Sequence, residues 1–211
     1  MAKIRGSVAE THKSKIPSVS ANFYRVRALI RSRFGTFRGL VRLALSYPQL
    51  LLGRSASRAP NPTQVRRLVF VCQGNICRSA FADVAGRQAG LNTASVGLST
   101  TTGRAAHDAA IVAARALGHD LSDHKAIDLK DYVPQAGDLL LAMEVRQLHR
   151  LAADPRLADL PRLLLGCWTR PMLPHLHDPY GLDDRYMATC LARIDRAIGA
   201  LVSAFPGARL S

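Results

Sequence analysis

The stretch LVFVCQGNICRS, residues 68–79, contains the pattern that decides the fold. Its first four residues are apolar and two of them are β-branched, which is typical of a buried strand in a parallel sheet. Gly74 and Asn75 then predict a turn, and residues 79–89 predict a helix that ends at Gly90. Cys72 is therefore expected at the carboxyl end of a strand, where open α/β sheets bind their ligands.

The remainder of the chain alternates strands with helices. Short apolar runs predict strands at residues 94–96, 138–143 and 162–165, and helical spacing predicts helices at 105–117, 144–152 and 184–205. Asp183 and Asp184 are expected to cap the start of the last helix. Alternating elements of this kind favour parallel strands with right-handed crossovers. The sequence therefore predicts an α/β fold, a three-layer sandwich around a central four-stranded parallel sheet.

The turn after the first strand has the residue types of an anion site. Successive backbone N–H groups between Cys72 and Arg78 can form a nest for a phosphate dianion, and the following helix N-terminus adds its positive dipole end. The same features stabilise a thiolate, so Cys72 is the predicted nucleophile. Arg78 can bind two phosphate oxygens at once, and Ser79 can donate a hydrogen bond to the thiolate. The other residues of the turn predicted to bind substrate are Gln73, Gly74, Asn75, Ile76 and Cys77.

The string C-x-G-N-x-C-R-S at residues 72–79 resembles the motif of the low-molecular-weight protein tyrosine phosphatases. The resemblance extends over about residues 66–205 and includes Ser95-x-Gly97 and the downstream Asp178-Pro179-Tyr180. It implies a phosphotyrosine protein phosphatase I-like fold and hydrolysis of protein phosphotyrosine through a phosphocysteine intermediate. No metal or organic cofactor is expected, because the nucleophile, the anion nest and the acid all come from the chain.

Cleavage of a phosphate ester needs a proton for the leaving oxygen, and no group in the turn is suited to supply it. Asp178 is the best candidate, because Pro179 favours an extended backbone before it. The resemblance implies that Asp178 acts first as general acid and then as general base. Tyr180 is expected to form an apolar wall for an aromatic leaving group. For His175 and His177 a surface or loop role is expected instead of catalysis.

Two features leave the finer specificity open. The loop at residues 98–103 is rich in Thr where relatives often carry a bulky residue, and Gln73 is polar where many relatives are apolar. Both favour a more open or more polar cleft, so a preference for phosphotyrosine over other phosphate esters does not follow.

Cys77 either forms a regulatory disulfide with Cys72 after oxidation or is a small buried residue.

The positive charge is concentrated before the predicted domain. Residues 1–67 contain 14 Lys and Arg against one acid, whereas residues 68–211 contain 15 against 14 acids. We therefore expect a basic, partly helical or disordered extension and linker at 1–64 and a phosphatase domain at 65–211. Within the extension, residues 1–20 are expected to be disordered, 22–52 have helical spacing that Pro48 should interrupt, and 53–63 have linker composition.

Two interpretations of the extension stay open. In the first, its interleaved Arg and apolar residues form an interfacial helix on an anionic membrane. In the second, it is a poorly ordered extension or a helix packed against the domain or a second copy. No secretory signal or membrane-spanning run is recognisable, so a cytoplasmic location is expected, with the inner face of the membrane as one place for the extension. The nearly neutral domain predicts no specific nucleic-acid partner.

Two other functions compete with phosphatase activity. Thioredoxin-coupled arsenate reductases resemble these phosphatases but need two further closely spaced cysteines, and residues 79–166 contain none. Cys167 and Cys190 are expected to be core residues instead. A phosphatase-like binding module tethered by the basic extension is the other alternative, and the intact Cys, Arg, Ser and Asp set argues against it.

Overall fold

The computed structural model describes residues 19–210, with side chains from residue 23 onward. The helices are α1 (Val19–Phe34), α2 (Phe37–Leu51), α3 (Arg78–Gln88), α4 (Asp108–Arg115), α5 (Val145–Ala152) and α6 (Asp184–Ala204). The strands are β1 (Arg67–Cys72), β2 (Thr93–Gly97), β3 (Asp138–Ala142) and β4 (Arg162–Leu164).

The four strands form one parallel sheet in the order β2-β1-β3-β4. Cys72 pairs with Gly97 of β2, and Val71 pairs with Ala142 of β3, so the carboxyl ends of the three strands meet at one edge. The predicted four-stranded parallel α/β sandwich is confirmed. The capping prediction for the last helix also holds, because the Asp183 side chain accepts a hydrogen bond from the Arg185 N–H.

The core lies in two layers, one on each face of the sheet. In β1 the residues Leu68, Phe70 and Cys72 belong to the layer that contains buried residues of α3, α4 and α6. Val69 and Val71 face the other layer, which contains buried residues of α5. This alternation follows from the two-residue period of a strand, and it explains why β1 is apolar throughout its buried length.

The extension contributes α1 and α2, which are separated by a break at Gly35 with φ of +73°. The predicted disorder of residues 1–20 falls outside the described residues except for its last two, which lie in α1. The prediction that Pro48 interrupts the helix is wrong, because α2 continues through it to Leu51. A proline removes one hydrogen bond of the helix, and the Pro48 carbonyl still accepts from the Leu52 N–H at 2.9 Å.

The segment predicted as a linker, residues 53–63, is bonded to the sheet. Arg58 and Arg162 exchange two backbone hydrogen bonds of 2.9 Å each, which makes an antiparallel bridge beside β4. Ser55 in the same segment is buried. Among residues 19–210 no helix has the length and apolar character needed to cross a membrane.

Candidate active site

The turn after β1 depends on the left-handed conformation of Asn75, which has φ of +51°. Asn tolerates this region better than most residues because its side chain bonds locally. Here the Asn75 side chain accepts from the Ile127 N–H at 2.8 Å and donates to Ser79 Oγ at 2.8 Å. The Asn75 carbonyl is also within 2.7 Å of Nε2 of the buried His124. The turn is therefore held from within and by the segment that contains residues 124–127.

The Cys72 sulfur lies between two polar groups of this turn. Ser79 Oγ is 3.0 Å from Sγ, and the Asn75 N–H donates to Sγ at 3.2 Å. Because Ser79 Oγ already accepts a hydrogen bond from Asn75, its own proton is free to point at the sulfur. Both groups can therefore donate a hydrogen bond to the sulfur. The first turn of α3 begins at Arg78, so the positive end of the helix faces the same turn.

The Arg78 guanidinium forms the buried floor of the site. Its Nη1 donates to Oε1 of Glu144 at 2.7 Å and to the Leu176 carbonyl at 2.8 Å. Its Nη2 lies 2.6 Å from Oδ2 of Asp178, a charge contact whose angle falls outside that of a hydrogen bond. Within residues 19–210, Nε has no hydrogen-bond acceptor and Nη2 contacts only the Asp178 carboxylate. Two phosphate oxygens can bind this edge of the fork when the Asp178 carboxylate moves away from Nη2.

Neighbouring charges keep both Arg78 and its partner Glu144 ionised. Burial alone would lower the pKa of Arg78, but Asp178, Glu144 and Cys72 together raise it above its ordinary value. Burial likewise raises the pKa of Glu144, but the charge and hydrogen bond of Arg78 outweigh this and bring it to about 2. Arg146 adds a second contact, with Nε 2.7 Å from Oε2 of Glu144. The floor of the site is thus a permanently charged guanidinium with a charged carboxylate beneath it.

A cavity of about 190 Å³ opens over the turn. Seven of the ten predicted site residues line it, namely Cys72, Gln73, Gly74, Ile76, Cys77, Asp178 and Tyr180. The other three, Asn75, Arg78 and Ser79, are buried beneath it. Asp178 is partly exposed, with 29% of its side chain accessible, and Tyr180 stands at the mouth with its ring 5.0 Å from that of His107. The structure therefore brings all ten residues to one place.

Two contacts fix the rim of the cavity. A Cβ atom on Gly97 would lie 3.0 Å from the carbonyl carbon of Gly74, so only glycine lets β2 approach the turn this closely. Arg150 donates to the Gln73 side chain at 3.3 Å and to the Leu98 carbonyl at 3.0 Å. Of the loop at 98–103, Ser99 lines the cavity, and the adjacent Arg104 lines it as well.

Sequence reasoning missed several residues of the site. It assigns Glu144 only to the start of a helix, although an acid two residues after the end of β3 lies at the same sheet edge as Cys72. His175 lies in a loop, as one of the two expected roles required, but it is buried instead of at the surface, behind Glu144 with Nδ1 4.0 Å from Oε2. Burial lowers the pKa of His175 to about 4. No local pattern distinguishes such a residue from a surface histidine.

The family follows from a comparison with known protein families. The model described as "Low molecular weight phosphotyrosine protein phosphatase" matches residues 67–209. The chain belongs to this family. As a low-molecular-weight protein tyrosine phosphatase it hydrolyses phosphotyrosine in protein substrates, and the residues assembled around Cys72 lie within the matched region.

Individual relatives agree with this assignment. The phosphatase Ptp of Acinetobacter johnsonii is 30% identical over 138 residues, which cover 61% of this chain and 95% of the relative. The probable phosphatase EpsP of Ralstonia solanacearum is 33% identical over 140 residues, which cover 65% of this chain and 94% of the relative. In structure, the tyrosine phosphatase amsI of Erwinia amylovora superposes with a TM-score of 0.58 at 25% identity, covering 71% of this chain and 99% of that one.

The arsenate reductase alternative is not favoured by these findings. The relatives compared above are named as phosphatases. Moreover, Cys190 of α6 belongs to the core layer on one face of the sheet, whereas Cys167 packs against the layer on the other face. Cys72 and Cys77 line the same cavity and are both free thiols, so the regulatory disulfide between them stays a prediction.

Proposed function

We propose that Cys72 is the nucleophile of this phosphatase and Asp178 its general acid and base. The Cys72 sulfur attacks phosphorus and the bond to the tyrosine oxygen breaks, while the Asp178 proton moves to that oxygen. Water then attacks the phosphocysteine and gives its proton to Asp178, and the sulfur–phosphorus bond breaks. The observation that carries this assignment is that Asp178, remote in sequence, meets Arg78 at 2.6 Å over the cavity that holds Cys72.

Arg78 is the proposed phosphate ligand. Its Nε has no hydrogen-bond acceptor among the described residues, its Nη2 has only the charge contact with Asp178, and its Nη1 is held by Glu144 and Leu176. A guanidinium fixed in this way needs no reorganisation when charge develops on the equatorial oxygens in the transition state. The backbone of Gln73, Gly74, Ile76 and Cys77 is proposed to bind the remaining oxygens.

The cavity supports an aromatic phosphate ester as substrate. Tyr180 provides an apolar wall that His107 supports edge-on, and Ser99 and Arg104 also line the cavity. A cavity of about 190 Å³ accommodates a phosphorylated ring and leaves the rest of a protein substrate outside. The polar residues Ser99 and Arg104 support the more polar cleft expected from the Thr-rich loop, so other phosphate esters are candidates for comparison.

Hydrolysis of para-nitrophenyl phosphate across pH, under reducing conditions and without added metal, tests the assignment. We expect Cys72→Ser to abolish turnover and Asp178→Ala to lower it by about 10²–10⁴-fold, the range for loss of a general acid. Full activity of Cys72→Ser would show that Cys72 is not the nucleophile, and an unchanged pH profile in Asp178→Ala would show that Asp178 is not the general acid. Phosphotyrosine and phosphoserine peptides of one sequence then measure substrate preference.

We further propose that α1 and α2 contact an anionic membrane surface at the cytoplasmic face. No acid occurs between Glu10 and Asp83, while six arginines lie in residues 22–52. Large apolar side chains on these helices are exposed, among them Phe23, Tyr24, Leu29, Phe37, Leu45 and Leu51. Arginines with apolar side chains between them suit the boundary between lipid headgroups and acyl chains. No specific nucleic-acid partner is proposed.

Sedimentation with vesicles tests the membrane contact. The full chain should bind phosphatidylglycerol vesicles, bind phosphatidylcholine vesicles less, and dissociate as salt rises. The double variant Phe37→Ser/Leu45→Ser should bind more weakly, whereas Val112→Ser, equally exposed on α4, should bind like the wild type. Equal binding by the wild type and the double variant would remove the proposal.

A further inference from the structure

The N-terminus of α2 contacts the residue that precedes the proposed general acid. Thr36 Oγ1 lies 3.1 Å from Nε2 of His177, and the same oxygen caps α2 by accepting from the Gly39 N–H at 2.9 Å. Gly39 itself packs on the ring: a Cβ there would lie 2.8 Å from Cδ2 of His177. The match to the phosphatase family begins at residue 67, so this contact comes from a part of the chain outside that match.

His177 is held on its other sides by the phosphatase domain. Its ring stacks on His175 with centroids 5.7 Å apart, and its carbonyl accepts from the Tyr186 hydroxyl at 3.2 Å. Burial lowers the pKa of His177, which favours the neutral ring. The ring is therefore enclosed between α2 and His175, and the backbone is hydrogen-bonded to α6. These contacts restrict the movement of residues 177 and 178.

We propose that Thr36 and Gly39 are positioning residues of the active site, which act on Asp178 through His177. The inference rests on the proposed role of Asp178 as general acid. A carboxyl group that transfers a proton must stay within hydrogen-bond distance of the leaving oxygen, and a displacement of about 1 Å can cost about 10²-fold in rate. Leu176 is already fixed by Arg78 and by Met143, so the contact of His177 with α2 completes the support of the acid loop.

The leaving group provides a readout specific to the acid. Phenolate is a much poorer leaving group than para-nitrophenolate, so kcat/KM on phenyl phosphate depends more strongly on proton donation. We expect Thr36→Val, which removes the hydroxyl at nearly constant volume, to lower kcat/KM on phenyl phosphate about tenfold and on para-nitrophenyl phosphate about twofold. The ratio of the two values is independent of how much of the sample is folded. Thr36→Ser keeps the hydroxyl and should restore the ratio.

Two further variants complete the test. Gly39→Ala pushes a methyl group against the Phe34 carbonyl and into the His177 ring, and should change the ratio in the same direction as Thr36→Val. Asp178→Ala should change it most. If Asp178→Ala leaves the ratio unchanged, the assignment of the acid fails and this inference fails with it. If Asp178→Ala changes the ratio but Thr36→Val and Gly39→Ala do not, only the positioning role of α2 is overturned.

Discussion

Nη2 of Arg78 lies 2.6 Å from Oδ2 of Asp178, although one residue opens α3 and the other precedes α6. The same guanidinium binds Glu144 through Nη1 at 2.7 Å. Arg78 thus links the carboxylate of Asp178 at the cavity mouth to the buried carboxylate of Glu144. Because the arginine is buried, the loss of either contact acts on both the chemistry and the stability of this phosphatase.

Arg78→Lys should lower kcat/KM on para-nitrophenyl phosphate by about 10²-fold or more, because an ammonium group cannot bind two oxygens in the plane of the fork. Steady-state kinetics with wild-type enzyme as reference measure this effect. Activity within a few-fold of the wild type would show that Arg78 does not bind the transferring phosphoryl group.

Arg78→Met should lower the free energy of unfolding by about 3–5 kcal/mol, because Glu144 would remain charged and buried without its main partner. Adding Glu144→Gln removes that charge and should recover part of the loss. Urea unfolding of the wild type, both single variants and the double variant measures the coupling. If the stability losses of the two single variants simply add in the double variant, the coupling between Arg78 and Glu144 is contradicted.

The stability of this phosphatase should fall on acidification in two adjoining ranges. His175 has a folded-state pKa of about 4, below its ordinary value, so the unfolded chain binds more protons and stability falls as pH drops from about 6.5 to 4. Glu144, with a pKa of about 2, contributes stability that is lost as pH falls from about 4.5 to 2.

Urea unfolding at a series of pH values measures both ranges. His175→Leu should reduce the slope of the unfolding free energy against pH in the upper range, and Glu144→Gln should reduce it in the lower range. A variant whose slope equals that of the wild type would show that the residue does not titrate as described.

Asn75→Ala should be less stable than Asn75→Gly by about 1–2 kcal/mol, because the φ of +51° strains a residue with a Cβ atom but not glycine. Both variants lose the amide that orients Ser79, so both should lose activity. Chemical denaturation and kinetics on para-nitrophenyl phosphate separate the two effects. Equal stability of the two variants would indicate that the turn relaxes to another conformation.

Gly97→Ala should lower kcat by about 10²-fold, because its methyl group would press on the backbone of Gly74 and displace the turn by about 1 Å. Gly199→Ala in α6 is the matched control, because a Cβ atom there would meet no other atom within 4 Å. That variant should keep full activity and gain up to about 1 kcal/mol of stability from helix propensity. Similar kinetics for both variants would contradict the steric argument.

Much of the fold could be predicted from local patterns. The strand, the turn and α3 around Cys72 depend on an apolar run, on Gly74 and Asn75, and on helix-forming residues next to them in the chain. These preferences act over a few residues, so the boundaries of β1 and α3 agree with the prediction to within one residue. The prediction for Pro48 failed because the loss of one hydrogen bond did not end the helix, which continues to Leu51.

The sequence by itself determined the parallel sheet, the turn at its carboxyl edge and the residue types that make an anion site there. Only the tertiary structure decided that Glu144 supports Arg78, that His175 is buried, and that Thr36 meets His177. Each of these contacts joins segments far apart in the chain, and each depends on which side chains the packed layers exclude from water. Local propensity carries no information about such distances, so these contacts had to be observed.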